Sequence, residues 1–112
     1  DVIREGYLLK KGSGKKSTGE WKKRYFVLTN EDKNLLLYYK DSKKDTKPKY
    51  GLISLDGVRI ISVEIDSTKK SKHCFEIITK QKGQKRQKTY VLQAESEEEM
   101  KSWVKALRRA ID

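Results

Sequence analysis

The chain has 112 residues, which is enough for one domain with a single core. Only 35% of the residues are hydrophobic and 38% are charged, and 27 basic against 16 acidic side chains give a formal net charge of +11. Such a polar composition is close to that of disordered chains, but two Trp, six Tyr and two Phe are distributed through regular apolar runs, which disordered chains lack. We therefore expect residues 1–112 to form one folded domain whose favoured partners are polyanions.

Several classes of protein are disfavoured by what the sequence does not contain. No apolar run approaches the roughly 20 residues of a membrane-spanning helix, and no secretory signal is recognised. Cys74 is the single cysteine, so an internal disulfide is impossible, and no Cys/His set exists to hold zinc. His73 and Cys74 are neighbours, and on a strand they would point to opposite faces, which prevents a nucleophile–base pair. We expect a cytoplasmic monomer with no catalytic activity, metal or cofactor.

Seven short runs rich in Val, Ile, Leu, Tyr or Phe predict β-strands, and turn-forming or charged residues separate them. The runs cover residues 4–11, 20–29, 34–40, 49–55, 58–65, 73–79 and 88–94. Between the fourth and the fifth run, Asp56-Gly57 is the strongest local signal for a hairpin. Short strands at regular spacing predict an antiparallel sandwich or barrel.

The last segment has a helical period instead. Apolar side chains recur at intervals of three and four residues, which places them on one helical face: Met100, Trp103, Val104, Leu107 and Ile111. Ser96 and Glu99 have the spacing of a capping box, in which the hydroxyl binds the N–H of residue 99 and the carboxylate reaches back. Acidic residues at 97–99 and basic residues at 108–109 suit the helix dipole. The apolar stripe predicts that this helix packs against the β-structure.

Two of the predicted strands change from apolar to basic along one face. Side-chain alternation groups the residues of that face: Gly6, Leu8 and Lys10 in the first strand, and Lys22, Arg24, Phe26 and Leu28 in the second. If the strands form a hairpin, Lys10, Lys22 and Arg24 meet near one end of the barrel and point as the core residues do. Unpaired charge is costly to bury, and Glu20 is the only acid within residues 10–24. This end of the barrel is therefore expected to stay open to an anionic ligand.

The connection between these two strands supports an anion site. Residues 12–19 are more than a tight hairpin needs, and long loops in compact domains are often functional. Three glycines in this stretch allow the backbone to approach a phosphate closely, and Lys15 and Lys16 add charge. The spacing is not that of a P-loop. A second basic window, residues 80–88, contains no acid and suits either a solvated loop or attraction to an anionic membrane.

The order of seven strands and one helix, together with individual residues, resembles a pleckstrin homology domain. The matching stretches are residues 6–10, 21–28, 37–39 and 51–55, and Trp103 falls where the family's nearly universal tryptophan sits. The resemblance covers residues 3–111. It implies a mainly β fold, a seven-stranded antiparallel barrel or sandwich of two nearly orthogonal sheets that is capped by one C-terminal helix.

A subset of that family binds phosphoinositides phosphorylated at the inositol 3-position. Its pattern is a Lys in the first strand, Lys/Arg-x-Arg in the second and a Tyr in the third, and Lys10, Lys22, Arg24 and Tyr38 match it. The resemblance implies that Lys10 and Arg24 grip the ring phosphates and that Lys22 adds charge. It also implies that the Tyr38 hydroxyl donates to a phosphate.

Three further lysines enter through the same resemblance. Lys15 and Lys16 are similar to loop residues of the Tec-kinase members and of the inositol-tetrakisphosphate-binding Ras GTPase-activating members. Lys49 lies near a basic position that some members use, although Tyr50 is an extra residue before Gly51.

Three functions remain to be compared. The first is a membrane-targeting module that binds the headgroup of phosphatidylinositol 3,4,5-trisphosphate, or a related phosphoinositide or soluble inositol phosphate, and is recruited to the anionic inner face of the plasma membrane. The alternative is a protein-interaction domain on the same scaffold, with only weak and non-specific binding to anionic lipid. Nucleic acid is disfavoured as a partner, because the aromatic residues are interspersed with core-forming positions and no helix is basic along its length.

Overall fold

The computed structural model describes residues 2–12, 19–30, 34–42, 51–56, 58–64, 73–79 and 88–111. These residues form seven strands and one helix in chain order: β1 (Val2–Lys11), β2 (Trp21–Thr29), β3 (Leu35–Tyr39), β4 (Gly51–Ser54), β5 (Val58–Glu64), β6 (Cys74–Thr79), β7 (Lys88–Gln93) and α1 (Glu97–Ile111). The predicted order of antiparallel strands followed by one helix is confirmed.

All seven strands belong to one sheet, in the order β4-β3-β2-β1-β7-β6-β5, and every neighbouring pair is antiparallel. β1 pairs with β2 along its whole length, but it pairs with β7 only through Leu9 and Lys10. This short junction joins the half formed by β1 to β4 to the half formed by β5 to β7. The sheet curls into a half-barrel, and α1 lies against β1, β5 and β6.

The hairpin predicted at Asp56-Gly57 is wrong. β4 and β5, which flank this dipeptide, lie at opposite edges of the sheet and pair with β3 and β6. The N–H of Leu55 donates to the carbonyl oxygen of Asn34 at 3.0 Å, which continues the β3–β4 pairing to the end of β4. Asp56 lies in a turn, and Gly57 lies outside the described residues. The dipeptide marks the passage between the two halves of the sheet, because each flanking strand pairs with a strand from elsewhere in the sequence.

The core is formed by one face of the curled sheet and one stripe of the helix. The sheet contributes fully buried side chains from several strands: Leu8, Phe26, Leu28, Leu36, Ile53, Phe75, Ile77 and Leu92. The predicted helical stripe is confirmed except at its end, where Ala110 is buried and Ile111 is only partly buried. Ala110 follows Trp103 by seven residues and therefore returns to the same side of the helix.

The helix begins as the capping pattern predicts, with one difference. Ser96 Oγ accepts the N–H of Glu99 at 3.1 Å, and the Ser96 carbonyl accepts the N–H of Met100 at 3.0 Å. The Glu99 carboxylate, however, accepts from Nη2 of Arg4 at 2.9 Å. The side chain expected to close the capping box therefore ties α1 to the start of β1. Within the described part of the chain, no helix has the length and hydropathy that crossing a membrane requires.

Candidate functional site

The pairing of β1 with β2 gathers the predicted cations at one end of the sheet. Lys10 lies directly opposite Lys22, and Arg24 lies opposite Leu8. Farther from this end the same face is core, because Leu8 and Phe26 are 2% and 0% exposed. Lys10 and Arg24 are half-buried, and Lys22 is exposed. The face therefore changes from apolar to basic along the hairpin, as the alternation of side chains predicted.

Two tyrosine rings flank the ammonium group of Lys10. Its Nζ lies 5.5 Å from the centroid of the Tyr38 ring and 5.9 Å from that of Tyr90. Tyr38 is opposite Phe26 in the β2–β3 pairing, and the centroids of these two rings are 5.4 Å apart, so Tyr38 stands on the edge of the core. Cation–π attraction at these distances favours an ammonium held between the two rings.

The electrostatic environment of Lys10 is cationic. The pKa of Lys10 is lowered from its ordinary value of 10.5, first by burial and then by the positive charges of Lys88 and Arg24. Burial raises the pKa of Tyr38, and so does Tyr90, while the same two cations oppose the rise. Among the described residues, no carboxylate forms an ion pair with Lys10. The ammonium group is thus held, half-buried, where its charged form is disfavoured.

Arg24 and Lys88 complete the cationic cluster. Nη1 of Arg24 donates to the carbonyl oxygen of Lys23 at 2.9 Å, which anchors the guanidinium beside β2. Nζ of Lys88 lies 5.4 Å from the centroid of the Tyr90 ring, so this ring is shared by two ammonium groups. We name as the basic mouth the five residues Lys10, Arg24, Tyr38, Lys88 and Tyr90, which come from β1, β2, β3 and β7.

A glycine in β4 makes room for one wall of the basic mouth. Gly51 lies opposite Tyr38 in the β3–β4 pairing. A Cβ built on Gly51 would collide with the phenol ring of Tyr38, including its oxygen. Glycine at this position therefore allows the close approach of the tyrosine side chain.

Three residues around the basic mouth were not among the predicted ligands. Lys88 and Tyr90 enter it because β7 is the neighbour of β1, and strand order is not visible in local sequence patterns. Lys88 does fall at the end of the basic window at residues 80–88, which was the available signal. For Gly51 the signal was a glycine within a predicted strand, which often marks a close approach.

The structure places Lys10, Arg24 and Tyr38 together, with Lys22 at the exposed rim. Lys15, Lys16 and Lys49 lie outside the described residues, as does the stretch 80–87 of the second basic window. The chemistry of the described part is that of an anion site. Two ammonium groups and one guanidinium offer charge-assisted hydrogen bonds, and a phenol adds a neutral donor.

Comparison with known proteins identifies the family to which the chain is similar. The profile of the PH domain family matches residues 2–112. Rho GTPase-activating protein 25 of Homo sapiens is 42% identical over 109 residues, which cover 96% of this chain and 16% of that protein. Ras GTPase-activating protein 1 of Rattus norvegicus is 35% identical over 108 residues, which cover 96% of this chain and 10% of that protein. The chain thus spans a small fraction of the length of these curated relatives.

Solved structures show the same fold. The C-terminal PH domain of pleckstrin, in complex with D-myo-Ins(1,2,3,5,6)P5, superposes with a TM-score of 0.77 at 31% identity, covering 100% of this chain and 97% of that one. The PH domain of the human KIAA0053 protein gives a TM-score of 0.73 at 38% identity, covering 98% of this chain and 88% of that one. Both the sequence over residues 2–112 and the curled sheet with its C-terminal helix therefore show that this chain belongs to the PH domain family.

Proposed function

We propose that this domain binds the polyphosphorylated headgroup of phosphatidylinositol 3,4,5-trisphosphate, or a closely related phosphoinositide, at the basic mouth. Binding there recruits the protein that carries the domain to the inner face of the plasma membrane. PH domains typically bind phosphoinositides or inositol phosphates, and the domain itself is a non-catalytic module. The further step to one headgroup rests on the residues of the basic mouth.

The half-buried ammonium of Lys10 is the observation that carries the proposal. Burial and two neighbouring cations disfavour its charged form in the free protein. A polyanion entering the mouth would reverse this, because each phosphate attracts the cations that repel one another without it. The repulsion between the cations already lowers the stability of the free domain, and the cations need not be brought together again when the ligand binds. The site is therefore preorganised for its ligand.

Three residues of the basic mouth, together with Lys22 at its rim, suit a polyphosphate. Arg24 carries a planar guanidinium that can make two parallel hydrogen bonds to one phosphate, whereas Lys10 acts as a point charge. Tyr38 forms one wall of the basic mouth, and its hydroxyl can donate to a neighbouring phosphate. Lys22 adds charge at the rim. Because these three cations lie at different positions, each can contact a different phosphate of one ring. A ligand with several phosphates therefore fits the site better than a ligand with one.

The membrane surface adds a second attraction. Lys15, Lys16 and Lys49, together with the basic window at residues 80–88, add positive charge in stretches of sequence that adjoin the strands of the basic mouth. Basic residues close to an anionic leaflet contribute about 1 kcal/mol each, and salt screens this contribution. We assign to these loops affinity for the leaflet and to the basic mouth selectivity for the headgroup.

Calorimetric titration with soluble inositol phosphates tests the headgroup site directly. The series contains inositol 1,3,4,5-tetrakisphosphate and its relatives that lack one phosphate at a time. We expect the compound that lacks the 3-phosphate to bind about tenfold more weakly or worse, since one charge-assisted contact is lost. Equal affinity throughout the series would contradict selective recognition at the basic mouth.

Matched variants locate the site. Lys10→Ala and Arg24→Ala are expected to weaken binding to soluble headgroup and to vesicles that contain the lipid by about tenfold or more. The control is Lys11→Ala, which removes the same charge from the next residue of β1, where the side chain is exposed and lies on the other face. If Lys11→Ala weakens binding as much as Lys10→Ala, the headgroup is attracted by the net positive charge of the domain and not by the basic mouth. If no headgroup binds at all, the alternative of a protein-interaction domain is favoured.

A further inference from the structure

A groove lies at the end of β1 that is remote from the basic mouth. It has a volume of about 440 Å³, within the range of roughly 300–1,000 Å³ that is usual for ligand sites. Three parts of the chain line it: the start of β1, the β2–β3 connection and the second half of α1. We name as the helix groove the cleft bounded by Ile3, Arg4, Asn34, Lys105, Ala106 and Arg109.

Ion pairs form in the first half of α1, whereas Lys105 and Arg109 in its second half have no ion-pair partner among the described residues. Lys101 pairs with Glu97 at 3.2 Å, and Glu99 pairs with Arg4 at 2.9 Å. Lys105 and Arg109 follow one turn apart, both are exposed, and neither pairs with a carboxylate among residues 88–111 or the other described stretches. Like charges four residues apart destabilise a helix slightly. The helix dipole favours Arg109 near the C-terminus, but it does not account for Lys105.

Apolar surface and amide groups accompany these two cations. Ile3 is 43% exposed although it lies in a strand, and the small side chain of Ala106 leaves space beside it. Asn34 donates from Nδ2 to the carbonyl oxygen of Ala110, which fixes this part of the rim against the end of the helix. The carboxamide oxygen of Asn34 has acceptor capacity for a backbone N–H. The helix groove thus combines positive charge, an apolar contact and a peptide-like hydrogen-bonding group.

We propose that the helix groove binds an acidic peptide segment of a partner protein. Carboxylates of the segment pair with Lys105 and Arg109, and an apolar side chain packs on Ile3. Charge complementarity carries the choice of an acidic occupant, because the groove presents Lys105 and Arg109, which the described part of the domain leaves unneutralised.

The position of the groove allows this partner to bind together with a membrane. Lys10 follows Ile3 by seven positions in β1, which corresponds to about 23 Å along an extended strand. A domain whose basic mouth faces a bilayer would therefore present the helix groove away from it. The two sites take different ligands and are too distant for one small ligand to occupy both.

Fluorescence anisotropy with a labelled synthetic peptide of alternating glutamate and leucine tests the proposal. The control peptide has glutamine in place of every glutamate. We expect Lys105→Glu and Arg109→Glu each to weaken binding of the acidic peptide by about fivefold or more, since attraction becomes repulsion. Lys101→Glu makes the same charge change on the same helix outside the groove, and it should change the affinity by less than about twofold.

Amide chemical shifts give a second measurement that needs no variant. The acidic peptide should shift the signals of Ile3, Asn34 and Ala106 and leave those of Lys10 and Tyr38 unchanged. Three results would overturn the proposal: no binding of the acidic peptide, equal losses in all three charge-reversed variants, or displacement of the peptide by inositol hexakisphosphate with shifts at the basic mouth. The second result would show that the peptide is attracted to the net charge of the domain, and the third that it binds at the basic mouth.

Discussion

The guanidinium of Arg4 in β1 lies over the indole of Trp103 in α1, with Cζ 4.9 Å from the ring centroid. The same side chain donates from Nη1 to Ser102 Oγ at 2.6 Å and pairs with Glu99. One residue of β1 therefore contacts three residues of α1 that lie on the same face of the helix, because they are spaced three and four positions apart. Its contribution is limited, because Nε of Arg4 and Nε1 of Trp103 are buried and have no hydrogen-bond partner among the described residues.

Arg4→Ala should lower the free energy of unfolding by about 1–2 kcal/mol, from the lost cation–π contact and the hydrogen bond to Ser102. The pair with the exposed carboxylate of Glu99 adds little. Urea denaturation measures the change. Lys101→Ala removes an exposed pair from the same helix and should cost less than about 0.5 kcal/mol. Equal losses in the two variants would contradict the special role of Arg4.

Gly51→Ala tests the wall of the basic mouth. The new Cβ would collide with the phenol of Tyr38, so the ring must leave its present position beside Lys10. We expect headgroup affinity to fall by about fivefold or more, because both the cation–π contact and the hydroxyl donor are displaced. Calorimetric titration of a soluble inositol phosphate measures the effect.

Two comparisons separate this effect from a general disturbance of β4. Leu52→Ala changes the next residue, which is 45% exposed, and should leave headgroup affinity within about twofold of the wild type. Tyr38→Phe keeps the ring over Lys10 and removes the hydroxyl alone, so its loss should be smaller than that of Gly51→Ala. A Gly51→Ala variant with unchanged affinity would show that the position of Tyr38 is unimportant.

Local patterns predicted the elements because each element carries its own signal. The stripe from Met100 to Leu107 follows a helical period, and Ser96 begins the helix with the expected bond to Glu99. The β1–β2 face was predictable for the same reason, since alternation alone places Lys10 and Arg24 on the side of Leu8. The three cations of the first hairpin therefore needed no tertiary information.

Strand order could not be obtained from local patterns, and the errors follow from it. Asp56-Gly57 has the composition of a tight hairpin, but the flanking strands find partners elsewhere in the sheet. Lys88 and Tyr90 belong to the site because β7 closes on β1, a contact between residues about 80 positions apart. The lowered pKa of Lys10 depends in part on that contact, since Lys88 lowers it more than Arg24 does.

Tyr90→Leu and Lys88→Ala test the part of the basic mouth that β7 provides. Removing the ring frees two ammonium groups, so we expect Tyr90→Leu to weaken headgroup binding by about threefold or more. Lys88→Ala removes one charge, and its effect should be greater for a ligand with more phosphates. Titration with inositol tris-, tetrakis- and hexakisphosphate measures both variants.

Thr89→Ala is the matched control for β7, because Thr89 is exposed and its side chain alternates to the other face of the strand. It should bind all three compounds like the wild type. If Tyr90→Leu and Lys88→Ala also bind like the wild type, the headgroup is held by the first hairpin alone.

Lys10→Met separates binding from stability. Folding lowers the pKa of Lys10 below the 10.5 of an unperturbed lysine, so between these two values the folded state holds fewer protons than the unfolded chain. The charged form therefore opposes folding near neutral pH, and this cost is relieved as pH rises through the lowered pKa toward 10.5. The contacts with Tyr38 and Tyr90 offset part of it.

We therefore expect the free energy of unfolding of Lys10→Met near neutral pH to lie no more than about 1 kcal/mol below that of the wild type. Its headgroup affinity should fall by about tenfold or more. As pH rises toward 10.5, the free energy of unfolding of the wild type should increase relative to that of the variant. Urea denaturation across this pH range, paired with calorimetric titration near neutrality, measures both quantities. A large loss of stability in Lys10→Met would mean that the ammonium is a structural group, and a basic mouth held ready for phosphate would then be the wrong description of this site.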